Sequence, residues 1–491
     1  MGGPLGARRG GVGVVATLVL VTGCTSVTSG RPGPVHSTPL SSSPVTSTPT
    51  STGSPTNACP STYAAPDPNR PRVALAFVVA ADLAHVSGVE HVVFTPDLPI
   101  RELVFRLTAN SPATADAGNS IVVTSAHADH GGGAPRYTRS GATAPTQGGL
   151  LHIPFAQQVP AGTTVTADIA FRVTLGAQSF DRFGRTGDGA QRFAWFASAQ
   201  PLLAWERGYG WHAEDLIPFI AESATSEAMD TSVQVIAPAA EQVIMSGDGT
   251  AGPASGSSGA SGGVRTWRSH IGAARDVSVA VGPFAVSDTR VGPTTLHLGA
   301  FTAAERDRLV PEFVRAITEL SKRFGPFPFP SLSIARLPVT GGGIEYPSSI
   351  LMLDGSRLVA VHETAHQWFY AMVGDSQALH PWLDEAFASF SEHLVNGERE
   401  PAAVLKLPGA VDRSTESYGT DVGDYYTITY DKGAAALEAA RDAAGPARFD
   451  AALRCYVNAN AWRIANPRDL ATALQALPAA VAVLRRAGAL P

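Results

Sequence analysis

His362-Glu363-Thr364-Ala365-His366 sets two imidazoles four residues apart, with a carboxylate directly after the first. On an α-helix, residues i and i+4 share a face about 6 Å apart, so both rings can converge on one zinc ion. Glu363 then stands beside the metal rather than on it, where a general base takes a proton from water. A catalytic zinc needs a third protein ligand and an open position for water. Glu385 follows His366 with 18 residues between them, enough chain to finish one helix, turn and lay a second alongside. The expected donor set is therefore His362, His366 and Glu385, holding one Zn2+ per chain. Two plainer readings stand beside it: a surface helix with two satisfied histidines, and an exposed acid favoured by a helix N-terminus.

These side chains need elements to hold them. Ser356 is a fitting N-cap, Leu358, Val361, Ala365, Phe369 and Met372 form an apolar stripe, and Gly374 can end the run, which predicts a helix from Ser356 to Val373. Trp382 to Phe387 opens a second helical run. Upstream, Ala303 to Phe324 carries Leu309, Phe313, Ile317 and Leu320 at helical steps and is stopped by Gly325-Pro326. A strand is expected over Ser333–Leu337. From about Pro71 to Pro293 the style differs: short alternating runs such as Val73–Val79, Glu102–Leu107, Thr164–Val173 and Val277–Val281, split by turn residues, read as a β-sandwich. Gly247–Gly263 is Gly/Ser-rich and reads as a flexible insertion between strands.

The segment from His362 to Glu392 resembles the zinc core of the aminopeptidase N family of gluzincin metallopeptidases, which also contains leukotriene hydrolase. Gly341-Gly342-Gly343-Ile344-Glu345-Tyr346-Pro347 resembles that family's glycine–methionine–glutamate segment, and Tyr430-Asp431-Lys432-Gly433 matches its Tyr-x-Lys-Gly. The resemblance implies that Glu345, with Gly342 and Gly343, binds the substrate's free α-amine. It also implies that the Tyr430 hydroxyl donates to the oxyanion of the transition state; Tyr425 and Tyr426 are neighbouring rivals that only the motif sets aside. Ser348–Leu353 is expected to run extended beside a bound peptide. Glu392 can partner a zinc histidine or be an ordinary helix-face acid. Trp195 to Trp211 is similar to a Trp- and Pro-containing stretch of distant members, and Phe449 to Leu474 to the helices that close the family's catalytic domain. Three departures stand out: Ile344 for the usual methionine, Tyr346-Pro347 for the asparagine, and Asp384-Glu385-Ala386 for Asn-Glu-Gly. The large C-terminal helical domain of long members is not expected here, which leaves size selection and strict exopeptidase behaviour open.

Arg8 and Arg9 followed by the uncharged, mostly apolar Gly11–Gly23 make a secretory signal too short to span a bilayer. Its end, Val21-Thr22-Gly23-Cys24, resembles the bacterial lipoprotein signal, in which the cysteine is lipidated. Thr25 to Thr56 is dominated by Ser, Thr, Pro and Gly and cannot build a core. Cys59 and Cys455 remain as two further cysteines, compatible with a bridge or with free thiols. Net charge is −6, from 36 basic and 42 acidic residues with no basic run, which argues against a nucleic-acid surface.

The expected organisation is a lipoprotein signal over 1–24, a disordered linker over 25–68, an N-terminal all-β sandwich (saddle-like) over 69–293, and a helix-rich α+β, thermolysin-like catalytic domain over 294–491. The expected activity is that of a zinc metallopeptidase, an aminopeptidase acting on peptides outside the cytoplasm, lipid-anchored at the outer face of a bacterial cell membrane. An endopeptidase or non-peptide hydrolase on the same site, or an inactive surface-binding lipoprotein, are the alternatives. Oligomeric state is not legible.

Overall fold

Strict alternation shapes the N-terminal part. Arg72–Val79 buries Val73, Leu75, Phe77 and Val79 on one face and shows the rest to solvent. The computed structural model describes residues 59–491 apart from 178–180, 188, 219–224 and 256–262. The signal segment, Cys24, the linker up to residue 58 and the centre of the Gly/Ser insertion lie outside the described residues. Strand 72–79 sits inside a seven-stranded sheet ordered 250–251, 264–274, 229–238, 72–79, 85–94, 165–174, 120–128. A four-stranded sheet contributes Leu103, Phe105, Leu151 and Ile153 to the same apolar core as Leu75 and Phe77, so two sheets share one filling. A third sheet, built from Gln242–Met245, Ser278–Gly282, Phe193–Ala197 and Phe183–Thr186, turns Trp195, Ile244 and Ala280 toward Leu337, Tyr346 and Leu351 of the sheet that follows. This contact lets the β-rich part reach the site.

The following sheet comprises β1 (Ala285–Val291), β2 (Thr294–Ala300), β3 (Ser331–Arg336), β4 (Gly343–Tyr346) and β5 (Ser349–Met352), in the order β1-β2-β3-β5-β4. The hairpin of β1 and β2 thus spans residues 293 and 294, the expected domain boundary. Strands β2, β3 and β5 run parallel, and β4 closes the edge antiparallel to β5. Helix α1 (Ala303–Phe324) packs on it with Leu309, Phe313, Ile317 and Leu320 buried, capped by Thr302, whose hydroxyl accepts from Glu305 N. The remaining helices include α2 (Arg357–Ala365), α3 (Trp382–Asn396), α4 (Gly433–Ala444) and α5 (Pro446–Asn460). A β-sheet-rich domain is therefore followed by a helix-rich domain. No helix among the described residues is long and apolar enough to cross a membrane.

Three expectations are corrected. The helix predicted to reach Val373 ends at Ala365. Beyond it the helical ladder breaks: Ala371 N reaches back to His366 O, Tyr370 N donates to Val373 O, and Tyr370 takes φ 104°, far from helical values. The buried Arg275 guanidinium, arriving from the β-rich part, donates to the carbonyls of Tyr370, Met372, Arg463 and Ser226. Second, Ser348–Leu353 cannot lie beside a substrate, because β5 is paired on both sides; the open edge is β4. Third, the disordered linker expected over 25–68 ends earlier, because residues 59–68 are held. Cys59 is disulfide-bonded to Cys455 on α5. Tyr63 donates to Pro326 O at 2.6 Å and accepts from Trp368 Nε1 at 3.0 Å.

Candidate active site

Helix α2 starts at Ser356, whose hydroxyl accepts from Val359 N at 3.2 Å, and buries Ala360, Val361 and Ala365. That burial turns His362, Glu363 and His366 toward α3. The two imidazole centroids lie 4.9 Å apart. Glu385 sits in the first turn of α3, and its Oε2 is 3.2 Å from His362 Nε2 and 3.5 Å from His366 Nε2. One ligand atom from each of the three residues falls within 4.8 Å of the others. Two imidazoles and a carboxylate at that spacing fit a zinc ion, and the set leaves a coordination position for water.

The outer nitrogens of the imidazoles are also held. Asp384 Oδ1 accepts from His366 Nδ1, and Glu392 Oε2 lies 3.4 Å from His362 Nδ1. Such partners fix ring orientation and keep Nε2 aimed at the metal position. Burial opposes charge on His362, but hydrogen bonds to Glu385 and Glu392 outweigh it and raise its pKa to about 10. His366 is likewise raised, against burial, by Asp384 and Glu385. Glu385 is pushed up by burial, yet His366 and His362 hold it well below the carboxylate range.

Glu363 is buried, and its Oε2 has no hydrogen-bond partner among the described residues. Burial pushes its carboxyl up to about 7, while His362 and His366 pull it back. Strand β4 brings Glu345 to the same place: atoms of Glu345, Glu363 and His366 fall within 4.8 Å of one another. The β4–β5 hairpin is pinned to the end of α2 by Gln367, which donates to Tyr346 O at 3.0 Å and accepts from Ser348 N at 2.9 Å.

Tyr430 lies in Tyr426–Lys432, a π-helical stretch leading into α4. Its ring stacks on His362 with centroids 5.9 Å apart and planes 6° from parallel. Of its rivals, Tyr425 is fully buried in a cluster with Tyr418 and Ile428, whereas Tyr426 lines the cavity beside Tyr430. Lys432 of the Tyr-x-Lys-Gly segment donates to the carbonyls of Leu407 and Gly409, so it secures a loop.

His362, Glu363, His366, Glu385, Glu345, Gly342, Gly343, Tyr430 and Glu392 all line one cavity of about 520 Å³. A hollow of about 650 Å³ on the outer face of the seven-stranded sheet holds none of them. Sequence reasoning missed four contributors: Asp384 and Gln367 on the ligand segment, Gln377 in the loop before α3, and Arg182 from the β-rich part, 3.5 Å from Glu345 Oε1. Asp384 had a signal, an acid beside the third ligand. Gln377 and Arg182 had none, because only the tertiary fold brings them near.

Residues 348–485 match the peptidase family M1 domain. Aminopeptidase M1-C of Oryza sativa subsp. japonica is 27% identical over 188 residues, 30% of this chain and 21% of the relative. Membrane alanyl aminopeptidase of Manduca sexta is 29% identical over 140 residues, 25% of this chain and 14% of the relative. The matches thus span 21% or less of those relatives' length. The fold likeness is broader. The M1 zinc metallopeptidase from Deinococcus radiodurans aligns with a TM-score of 0.60 at 22% identity, over 86% of this chain and 94% of that one. A mutant of that enzyme, with a Tyr-ser-ala substrate bound, aligns at 0.60 and 21% identity, over 85% of this chain and 94% of that one. The fold is thus that of solved two-domain M1 zinc metallopeptidases, and residues 348–485 within it resemble a peptidase family M1 domain.

Proposed function

We propose that this chain is a zinc-dependent aminopeptidase that removes single residues from free N-termini of peptides, with one zinc ion per chain on His362, His366 and Glu385. The observation that carries the reading is the placement of Glu345 against Glu363 and His366 in one cavity. A carboxylate there suits a substrate ammonium group one residue away from the bond to be cut.

When bound, zinc polarises a carbonyl and lowers the pKa of water. The side chains supply the rest. Glu363, with its buried and unpartnered Oε2, takes a proton from the attacking water and returns it to the leaving amine. The Tyr430 hydroxyl donates to the oxyanion that forms at the carbonyl. Glu345 pairs with the α-ammonium, and the free edge of β4 offers main-chain hydrogen bonds to an extended peptide. The family match and the peptide-bound relative support this reading.

Lipidation of Cys24 and residence at the outer face of a bacterial membrane complete the proposal. The signal-like N-terminus supports it, as does the Cys59–Cys455 disulfide, a bond suited to oxidising compartments. Glu345→Ala tests the amine role. It should slow hydrolysis of a free peptide far more than of its N-acetylated form; an equal loss on both removes the anchor.

A further inference from the structure

We infer that Gln377 is a positioning residue that fixes the spacing between the amine-binding carboxylate and the metal ligands, and so sets the cut one residue from the N-terminus. The inference rests on the proposed role of Glu345. Gln377 is 3% exposed and lies in the loop between α2 and α3. Its Nε2 donates to Glu345 Oε1 at 3.1 Å and to Asp384 Oδ2 at 3.0 Å. Both partners offer a carboxyl oxygen as acceptor, so one amide group spends both protons on the two acids. Asp384 in turn holds His366 Nδ1 through its other oxygen. A continuous buried chain therefore runs Glu345–Gln377–Asp384–His366.

Two buried carboxylates joined by nothing repel each other. A neutral amide between them holds both without adding charge, and hydrogen bonds to ionised groups are the stronger kind. Arg182, also 3% exposed and contributed by the β-rich part, approaches the same Glu345 oxygen at 3.5 Å. Glu345 Oε1 is thus the tethered oxygen, held from both sides. The loop is itself fastened to the β-rich part: Thr225 Oγ1 donates to Ser376 Oγ at 3.1 Å. Cutting in register requires the distance from ammonium to scissile carbonyl to be constant within about 1 Å, since a misplacement of that size costs about 10²-fold in rate. Gln377 bonds the carboxylate at one end of that distance and, through Asp384, holds a metal ligand at the other. Asparagine, one methylene shorter, cannot span them.

The test uses the full zinc-loaded chain carrying Gln377→Met, which keeps volume and loses both donors, or Gln377→Asn, which keeps a buried amide and shortens it. One fluorogenic peptide is assayed with a free N-terminus and in N-acetylated form, together with zinc content per chain. The expected result is wild-type zinc content, a kcat/KM for the free peptide lowered about tenfold or more, and no change on the acetylated peptide. The Asn variant keeps this readable even where Met fails to fold. An equal loss on both peptides, or zinc lost in proportion to activity, would make Gln377 a plain support of the ligand shell and overturn the inference. A wild type indifferent to acetylation removes the anchor itself, and this role with it.

Discussion

Gly343 lies against Glu363 so closely that a Cβ at that position would stand 2.4 Å from the glutamate's carboxyl carbon. Non-bonded carbons rest at about 3.5 Å or more, so any side chain there must displace either β4 or the base by about 1 Å. Gly343→Ala should therefore lower kcat/KM by about 10²-fold, with zinc content and melting temperature near wild type. Unchanged kinetics would mean that Glu363 does not act from its observed position.

Glu363→Gln removes the base and keeps the shape. Turnover should fall by about 10²–10⁴-fold, while one zinc per chain is retained, because Glu363 is not in the His362, His366, Glu385 set. Single-turnover kinetics with zinc analysis check this; a variant retaining full activity assigns the proton transfer elsewhere.

Arg275 ties four carbonyls of three segments around the end of α2. Arg275→Met removes the guanidinium donors from all four; Met372 O and Arg463 O keep backbone N–H partners, while Tyr370 O and Ser226 O lose the donor described for them, which should destabilise the protein by about 3 kcal/mol or more. Chemical denaturation measures the loss, and a wild-type midpoint would show that water or other donors replace the guanidinium.

Burial raises Glu227 to about 7, against the pull of Arg207 and with Asp97 and Asp67 pushing the same way. In the unfolded chain this carboxyl titrates near 4.5. Between those values the folded state binds the extra proton, so stability falls as pH rises from about 4.5 to 7, and the loss is complete above that range. Glu227→Gln should flatten the part of the melting-temperature profile that falls over this window. A profile as steep as wild type would place the titration on another group.

The spacing of His362, His366 and Glu385 was legible because helical periodicity and one inter-helix connection suffice to predict it. Helix α1 was legible end to end, since Thr302, the apolar stripe and Gly325 all agree locally. Where partners come from far along the chain, the sequence was silent or misleading. The turn that follows the helix end at Ala365 gives the Tyr370 carbonyl to Arg275, far earlier in the chain. The ordering of residues 59–68 depends on Cys455 and Trp368. The interior place of β5 follows from strand order, which local pattern does not encode. Asp384, Gln367 and Gln377 carry polar side chains that would be unremarkable on a surface; only burial between two helices and a hairpin makes each one hold a functional group.

The most direct test of the central claim is hydrolysis of one peptide, N-terminally free or acetylated, by the protein stripped of metal with a chelator and then restored with stoichiometric zinc. The expected result is no turnover without metal, and with one zinc per chain the release of single N-terminal residues from the free peptide far faster than any cleavage of the acetylated one. Zinc bound at one per chain with neither peptide cleaved, or with both cleaved equally at internal bonds, would contradict it.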